Sequence, residues 1–212
     1  SDSVSFTLAS NKVNNILWIA SSGSLILGTI NGTMSASAGN EATTITPTNI
    51  LVKYDTDYGV AQIMPKNISS YLYYVQSSKY QIRELAYNFT IDKLITDDMT
   101  LLADHILRDG GGVVAMARQM SPNDRLWVVR SDGQIAVLTR NVAQQVMGWC
   151  RLIAGTDSTT EGVFEDICIL QQDGADDLIY VIVKRKINGT FKRFEEYFNV
   201  ELFDDDWDSV NV

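Results

Sequence analysis

The chain has 212 residues, is 45% hydrophobic and 20% charged, and carries a formal net charge of −9 with a pI near 4.5. That length admits one large domain or two small ones with a sizeable core, and no stretch approaches the ~18 consecutive apolar residues of a membrane span. An acidic surface repels phosphate backbones, which speaks against a grip on nucleic acid, although DNA can pass such a surface without sticking.

The opening residues "SDSVSF" lack the basic patch and apolar block of a secretory leader. They also lack an initial Met, and the chain is expected to be an excised piece of a longer protein. A short apolar segment, "SVSFTLAS" (3–10), is followed by the polar "NKVNN" and then by "ILWIASSGSLILGTI" (16–30). The last of these reads as a β-hairpin turning at Ser22-Gly23. "TMSASA" (33–38) supplies a further strand.

The same order recurs three times. "GVAQIMPK" (59–66), "GVVAMARQM" (112–120) and "GVFEDICIL" (162–170) are each short and apolar, and each is followed by a polar turn. Hairpins then come at 71–87, 126–141 and 178–197, turning at Ser78-Lys79, Asp132-Gly133 and Asn188-Gly189. Asp-Gly and Asn-Gly accept the positive φ that a tight hairpin turn demands. In "QIAVLTR", Ile135, Val137 and Thr139 face one way and the intervening residues the other, which fixes the register. Fourth strands are expected in "FTIDKLI" (89–95) and "MGWCRLIA" (147–154); the last repeat lacks a clear one.

An aromatic opens each hairpin at Trp18, Tyr73, Trp127 and Tyr180, at intervals of 55, 54 and 53 residues (18 to 73, 73 to 127, 127 to 180). A period of about 54 residues with three or four antiparallel strands per unit predicts an all-β fold, a β-propeller. One twisted sheet, apolar on both faces, is stable only when neighbours cover both. The blades run approximately 3–58, 59–111, 112–161 and 162–212, in a single propeller domain or in part of a larger propeller. A β-sandwich or a set of unrelated hairpins is the alternative, and the near-constant spacing of the aromatic argues against the sandwich. One short helix is predicted at 96–107, where Met99, Leu102, Ala103 and Ile106 share a face, Thr96 caps the start and Gly110 to Gly112 end it.

Reaction chemistry is sparse. His105 is the single histidine and reads as a solvated or rim residue. There is no G-x-S-x-G elbow, no C-x-x-C pair and no phosphate-binding glycine loop; "DGGGVV" (109–114) follows a helix, whereas a phosphate cradle precedes one. Carboxylates cluster at 55–59, 172–177 and 203–208, yet none matches an EF-hand loop, and polar turns look the same without an ion. Asn31, Asn67, Asn88 and Asn188 begin N-x-S/T triplets, which matter only in a eukaryotic secretory host. Cys150 and Cys168 are too few for a disulfide framework and are expected as buried free thiols, with nothing arguing for a bridge between them. No catalytic, cofactor-binding or metal-ligating residue is assigned, and an enzyme is not expected.

Three stretches carry a resemblance: "REL-Y" (Arg83 to Leu85, Tyr87), "DDMTLLADHIL" (97–107), and "LWVVRSDGQIAVLT" closing on "V-GW-R" (Val146, Gly148, Trp149, Arg151). The run 74–156, roughly the middle two-fifths of the chain, resembles the propeller region of the tail nozzle proteins of short-tailed bacteriophages, also called tail tubular protein B, with prophage relatives. The resemblance implies a structural virion protein, made in the bacterial cytoplasm. Copies form a hexameric ring at the end of the tail, joined to tail adaptor and tail fibre proteins. The ring is a conduit that retains the genome and passes it at ejection without sequence-specific binding. Family members are larger and carry platform-like β domains that this chain lacks. The alternative function is a propeller module that recognises a protein or glycan partner on its loops, with Tyr54, Tyr58 and Tyr80 as the first candidates.

Overall fold

A computed structural model describes residues 14–39, 44–46, 48–155 and 162–198. The segment 3–10 expected to form a strand, the acidic tail 199–212 and the carboxylate cluster at 203–208 lie outside these residues. The described chain is almost entirely β. Fifteen strands and one helix follow in chain order. Four antiparallel sheets result.

The first sheet is β1 (Ile16–Ser22), β2 (Ser24–Thr29), β3 (Gly32–Ala38) and β4 (Ile50–Thr56), in that order. The second is β5 (Lys66–Ile68), β6 (Tyr71–Val75), β7 (Ile82–Asn88) and β8 (Lys93–Asp98). Helix α1 (Asp104–Arg108) leads to the third sheet: β9 (Val113–Gln119), β10 (Arg125–Arg130), β11 (Ile135–Asn141) and β12 (Val146–Leu152). The fourth has three strands, β13 (Gly162–Leu170), β14 (Leu178–Ile187) and β15 (Thr190–Phe198). The chain divides into two compact units, Ser1–Met116 and Ala117–Val212, with the boundary inside β9.

All four expected hairpin turns form, and the positive φ falls at Gly23, Lys79, Gly133 and Asn188-Gly189. Two strand expectations shift, and the fourth strand expected at 89–95 is one of them, running instead over Lys93–Asp98. In place of a strand over 59–66, Val60 makes one isolated bridge to Gln76 and the strand proper is Lys66–Ile68. The segment 50–56, for which no strand is expected from the sequence, is β4, paired along β3 from Ala38↔Ile50 to Thr33↔Thr56.

The helix expected at 96–107 is shorter and later. Thr96 to Asp98 continue β8, with Leu85↔Thr96 and Arg83↔Asp98 in register, and the Met99 amide donates to the Ile82 carbonyl. Asp98 then accepts from the amide and hydroxyl of Thr100 and turns the chain. Pairing with a formed sheet outweighs the 3.6-residue pattern, and Leu102, on the expected apolar stripe, is 86% exposed. Only Asp104–Arg108 is helical, and Leu107 is its buried residue.

In the first unit the core joins two sheets. Trp18 and Ile26 of the first sheet pack with Leu72, Tyr74 and Leu85 of the second and with Val60. Tyr73 alternates with Leu72 and Tyr74 and so lies on the far face of the second sheet. It is fully buried there, its hydroxyl donating to Glu84. In the second unit, β10 and β11 are buried on both faces, from Leu126 to Val129 and from Ile135 to Leu138. Trp127 faces the fourth sheet, its ring 5.3 Å from Phe198, which also lies 6.1 Å from Phe164. Its indole N–H donates to Gln119 at 3.0 Å in a buried bond. The Phe164 amide donates to the Gly133 carbonyl, and a Cβ on Gly133 would stand 2.4 Å from the Val163 Cβ.

The repeat aromatics therefore keep one sidedness within each unit. Trp18 faces the second sheet and Tyr73 faces away from the first; Trp127 faces the fourth sheet and Tyr180 faces away from the third. Depth along the hairpin is kept only three times. Trp18 pairs with Gly28, Tyr73 with Glu84 and Trp127 with Val137, but Tyr180 pairs with Tyr197 across a longer hairpin.

Candidate functional site

The residues weighed for chemistry are scattered. His105 is exposed on α1. In the loop that follows, the amides of Gly111, Gly112 and Val113 donate to the carbonyls of Arg108, Leu107 and Lys79, so these N–H groups are engaged by backbone. No group of three or more His, Cys, Asp or Glu suited to a metal ion occurs among the described residues.

The acidic loop 172–177 has a structural part. Asp177 is buried and accepts from the amides of Met120 and Ser121 at 2.6 and 3.2 Å, while Asp176 accepts from the Ser121 hydroxyl. It clamps the β9–β10 turn to the β13–β14 turn. The cysteines are free, as expected, but exposed rather than buried. Cys150 stands on the edge strand β12, and Cys168 on the outer face of β13 beside Tyr180. An apolar run buries every residue only where both faces are covered, and these two faces are not.

The aromatics considered for a partner are all in the first unit. Tyr54 donates from its hydroxyl to the Asn31 carbonyl at 2.9 Å, and burial raises its pKa above the ordinary value, with the neighbouring Asp57 adding to the shift. Tyr58 stacks under the Arg83 guanidinium, 3.3 Å from its ring centroid, and Tyr80 lies 5.2 Å from that of Arg108. They do not converge on one place.

What does converge is a cleft of about 1190 Å³ between the first and second sheets. Cross-strand partners share a face, so the row Ala20–Ile26–Ser35–Lys53 crosses the first sheet on the side toward the second. Ala20 and Ile26 belong to the core, whereas Ser35 and Lys53 line the cleft. The apolar interior thus gives way to a polar one along a single row. Seven serines contribute to the lining, including Ser37 on β3 and Ser69 and Ser70 from the β5–β6 turn. Asn67 ties the two sheets at one end, donating from its side-chain amide to the Ser21 carbonyl at 3.0 Å.

Charge in the cleft balances: Lys53 and Lys93 against Asp55 and Asp92. Asp55 accepts from the Ser35 hydroxyl at 3.1 Å, and its Oδ2 is buried with no partner among the described residues. Burial pushes the Asp55 carboxyl above its ordinary pKa, and the Ser35 hydrogen bond and Lys53 pull it partly back. Tyr87 shares a face with Leu85, which places its ring at the cleft. The ring is 55% exposed, with its hydroxyl donating to Asp92 and its edge against Phe89. Of these residues three are named from the sequence: Asp55, in the carboxylate cluster at 55–59, Asn67, as the start of an N-x-S/T triplet, and Tyr87, in the stretch that carries the resemblance. The available signal was the alternation of Ser35 and Ser37 in "TMSASA", which marks a hydroxyl face on a strand.

Two sheet faces also leave apolar residues open. On the first sheet the row Ile19–Leu27–Met34–Tyr54 faces away from the second sheet; its ends, Ile19 at 51% and Tyr54 at 49%, are exposed, while Leu27 and Met34 between them are buried. On the fourth, the row Cys168–Tyr180–Tyr197 faces away from the third, with Tyr197 57% exposed. A shallow hollow of about 220 Å³ lies there beside Ile182 and Leu170.

No protein-family model and no curated protein sequence matches this chain.

Proposed function

We propose that the chain is a β-propeller, or consecutive blades of one, and that it works as a structural ring-forming component of a short bacteriophage tail, a nozzle through which DNA is retained and then released. The observation that carries this reading is the repeated sidedness of the sheets. Each unit holds a leading sheet whose aromatic faces its neighbour and a following sheet whose aromatic faces outward. A sheet stable only when covered on both sides is a unit built for serial stacking. The exposed Ile19 and Tyr54 at the ends of one row, and the row Cys168–Tyr180–Tyr197, support the same reading, because apolar surface at the ends of a series is where a further blade or another copy is seated.

The net charge of −9 suits a conduit wall, since like charge keeps a passing duplex from sticking. In this reading the partners are copies of the chain, together with the tail adaptor and tail fibre proteins that the sequence resemblance implies, and the protein catalyses no reaction. Electron microscopy and light scattering of the product of the whole reading frame test it. Closed rings are expected, with no retardation of duplex DNA at physiological salt. A product that stays monomeric at high micromolar concentration overturns the reading.

A further inference from the structure

The cleft between the first two sheets is not explained by ring assembly, and its chemistry points to a small ligand. We propose that it is a carbohydrate-binding site, taking a short neutral oligosaccharide against Tyr87 and Asp55. This inference rests on the cleft alone and stands whether or not the protein forms rings.

Three features select this class. Most of the lining residues are polar, seven serines, two lysines, two aspartates and Asn67, and they alternate with apolar surface from Tyr87, Ile91 and Leu94, the mixture that a sugar presents. The two positive and two negative charges cancel, so neither an anion such as a phosphate nor a cation has a net field to bind it. At the cleft wall the Tyr87 ring is open to solvent but held at its hydroxyl by Asp92 and at its edge by Phe89, 6.4 Å away. An aromatic face fixed before binding offers flat apolar contact at small entropic cost, and the C–H face of a pyranose is the matching surface.

Around that platform, carboxylate and hydroxyl oxygens accept from sugar hydroxyls, while Lys53 and Lys93 donate to sugar oxygens. Asp55 lines the cleft beside Ser35, whose hydroxyl it accepts from, and a carboxylate is an acceptor matched to sugar hydroxyls. The volume of about 1190 Å³ exceeds what a single small molecule fills, so the site suits several sugar units.

The test uses the intact chain with maltotriose, cellotriose, chitotriose and a mannotriose as probes, read by saturation-transfer NMR and calorimetry. At least one probe is expected to bind with a dissociation constant of about 1 mM or tighter. Tyr87→Ala is expected to weaken binding about tenfold and Asp55→Asn about as much, whereas Tyr197→Ala, on the fourth sheet, leaves it unchanged. Tyr87 is exposed, so its variant is expected to keep the parent melting temperature, which separates lost binding from lost fold. The proposal is overturned if none of the four probes binds at about 10 mM, or if a bound probe is held equally well by both cleft variants.

Discussion

Trp18 lies flat over Gly28, its cross-strand partner: a Cβ at position 28 would stand 2.3 Å from the indole ring. The contact lets the indole sink to 3% exposure and reach Tyr74 of the second sheet, 6.0 Å between ring centroids. The joint between the first two sheets thus depends on the absence of one side chain. Gly28→Val drives the indole out of this position and is expected to destabilise the first unit by about 1–3 kcal/mol. Urea unfolding followed by tryptophan emission checks it, with the folded variant emitting at longer wavelength than the parent.

Arg130 offers a harsher case. Its side chain is 4% exposed and meets Asp132 through two hydrogen bonds, at 3.1 and 2.5 Å, within the β10–β11 turn. Removing the partner leaves a buried guanidinium uncompensated. Asp132→Ala is expected to cost about 3–5 kcal/mol, and the double variant Asp132→Ala, Arg130→Met less than the single one. Denaturation midpoints of the three proteins decide this.

Much of the architecture is legible in the residues, because hairpin turns are local. Asp132-Gly133 and Asn188-Gly189 announce the positive φ they adopt, and "TMSASA" and "MGWCRLIA" lie on strands. The helix expected at 96–107 shows where locality fails. Met99, Leu102 and Ile106 have helical spacing, but the partners that win for residues 96–98 are on β7, about a dozen residues upstream. The cleft was illegible for a similar reason. Its defining row joins Ala20, Ile26, Ser35 and Lys53 from four strands, and no one of them is unusual in its own segment. Exposure of Cys150 and Cys168 depends on which sheet faces stay uncovered, which a strand's own residues do not encode.

Asp177 is another contact at long range, holding a turn more than fifty residues away. Asp177→Ala takes the buried carboxylate from the amides of Met120 and Ser121 and is expected to cost about 1–3 kcal/mol. Its neighbour Asp176, exposed and bonded to the Ser121 hydroxyl, is expected to cost under about 1 kcal/mol when replaced by Ala. Equal losses from the two variants, by thermal or chemical unfolding, contradict the clamp.

Glu196 makes the stability of the second unit respond to acid. Arg185 donates two hydrogen bonds to its carboxylate, both at 2.6 Å, and this holds Glu196 below the usual carboxylate range. A carboxyl depressed by folding stabilises above its unfolded pKa of about 4.3 and loses that contribution as pH falls through the lower folded value. Water reaches a third of each side chain, so the pair contributes under about 1 kcal/mol. The stability gap between the parent and Glu196→Gln is expected to be steady from neutral pH down to about 5 and to close below about 4. A gap of constant size across that range contradicts the assignment.

The central claim is that these sheets are equivalent blades in series, and an electron cryomicroscopy map of the product of the whole reading frame tests it most directly. The account predicts sheets radiating about a common axis, with Trp18, Tyr73, Trp127 and Tyr180 each on the face turned toward the next sheet in order, and the open rows at Ile19 and Tyr197 covered. A map in which the sheets pack as separate two-layer sandwiches, with those rows facing solvent, would contradict it.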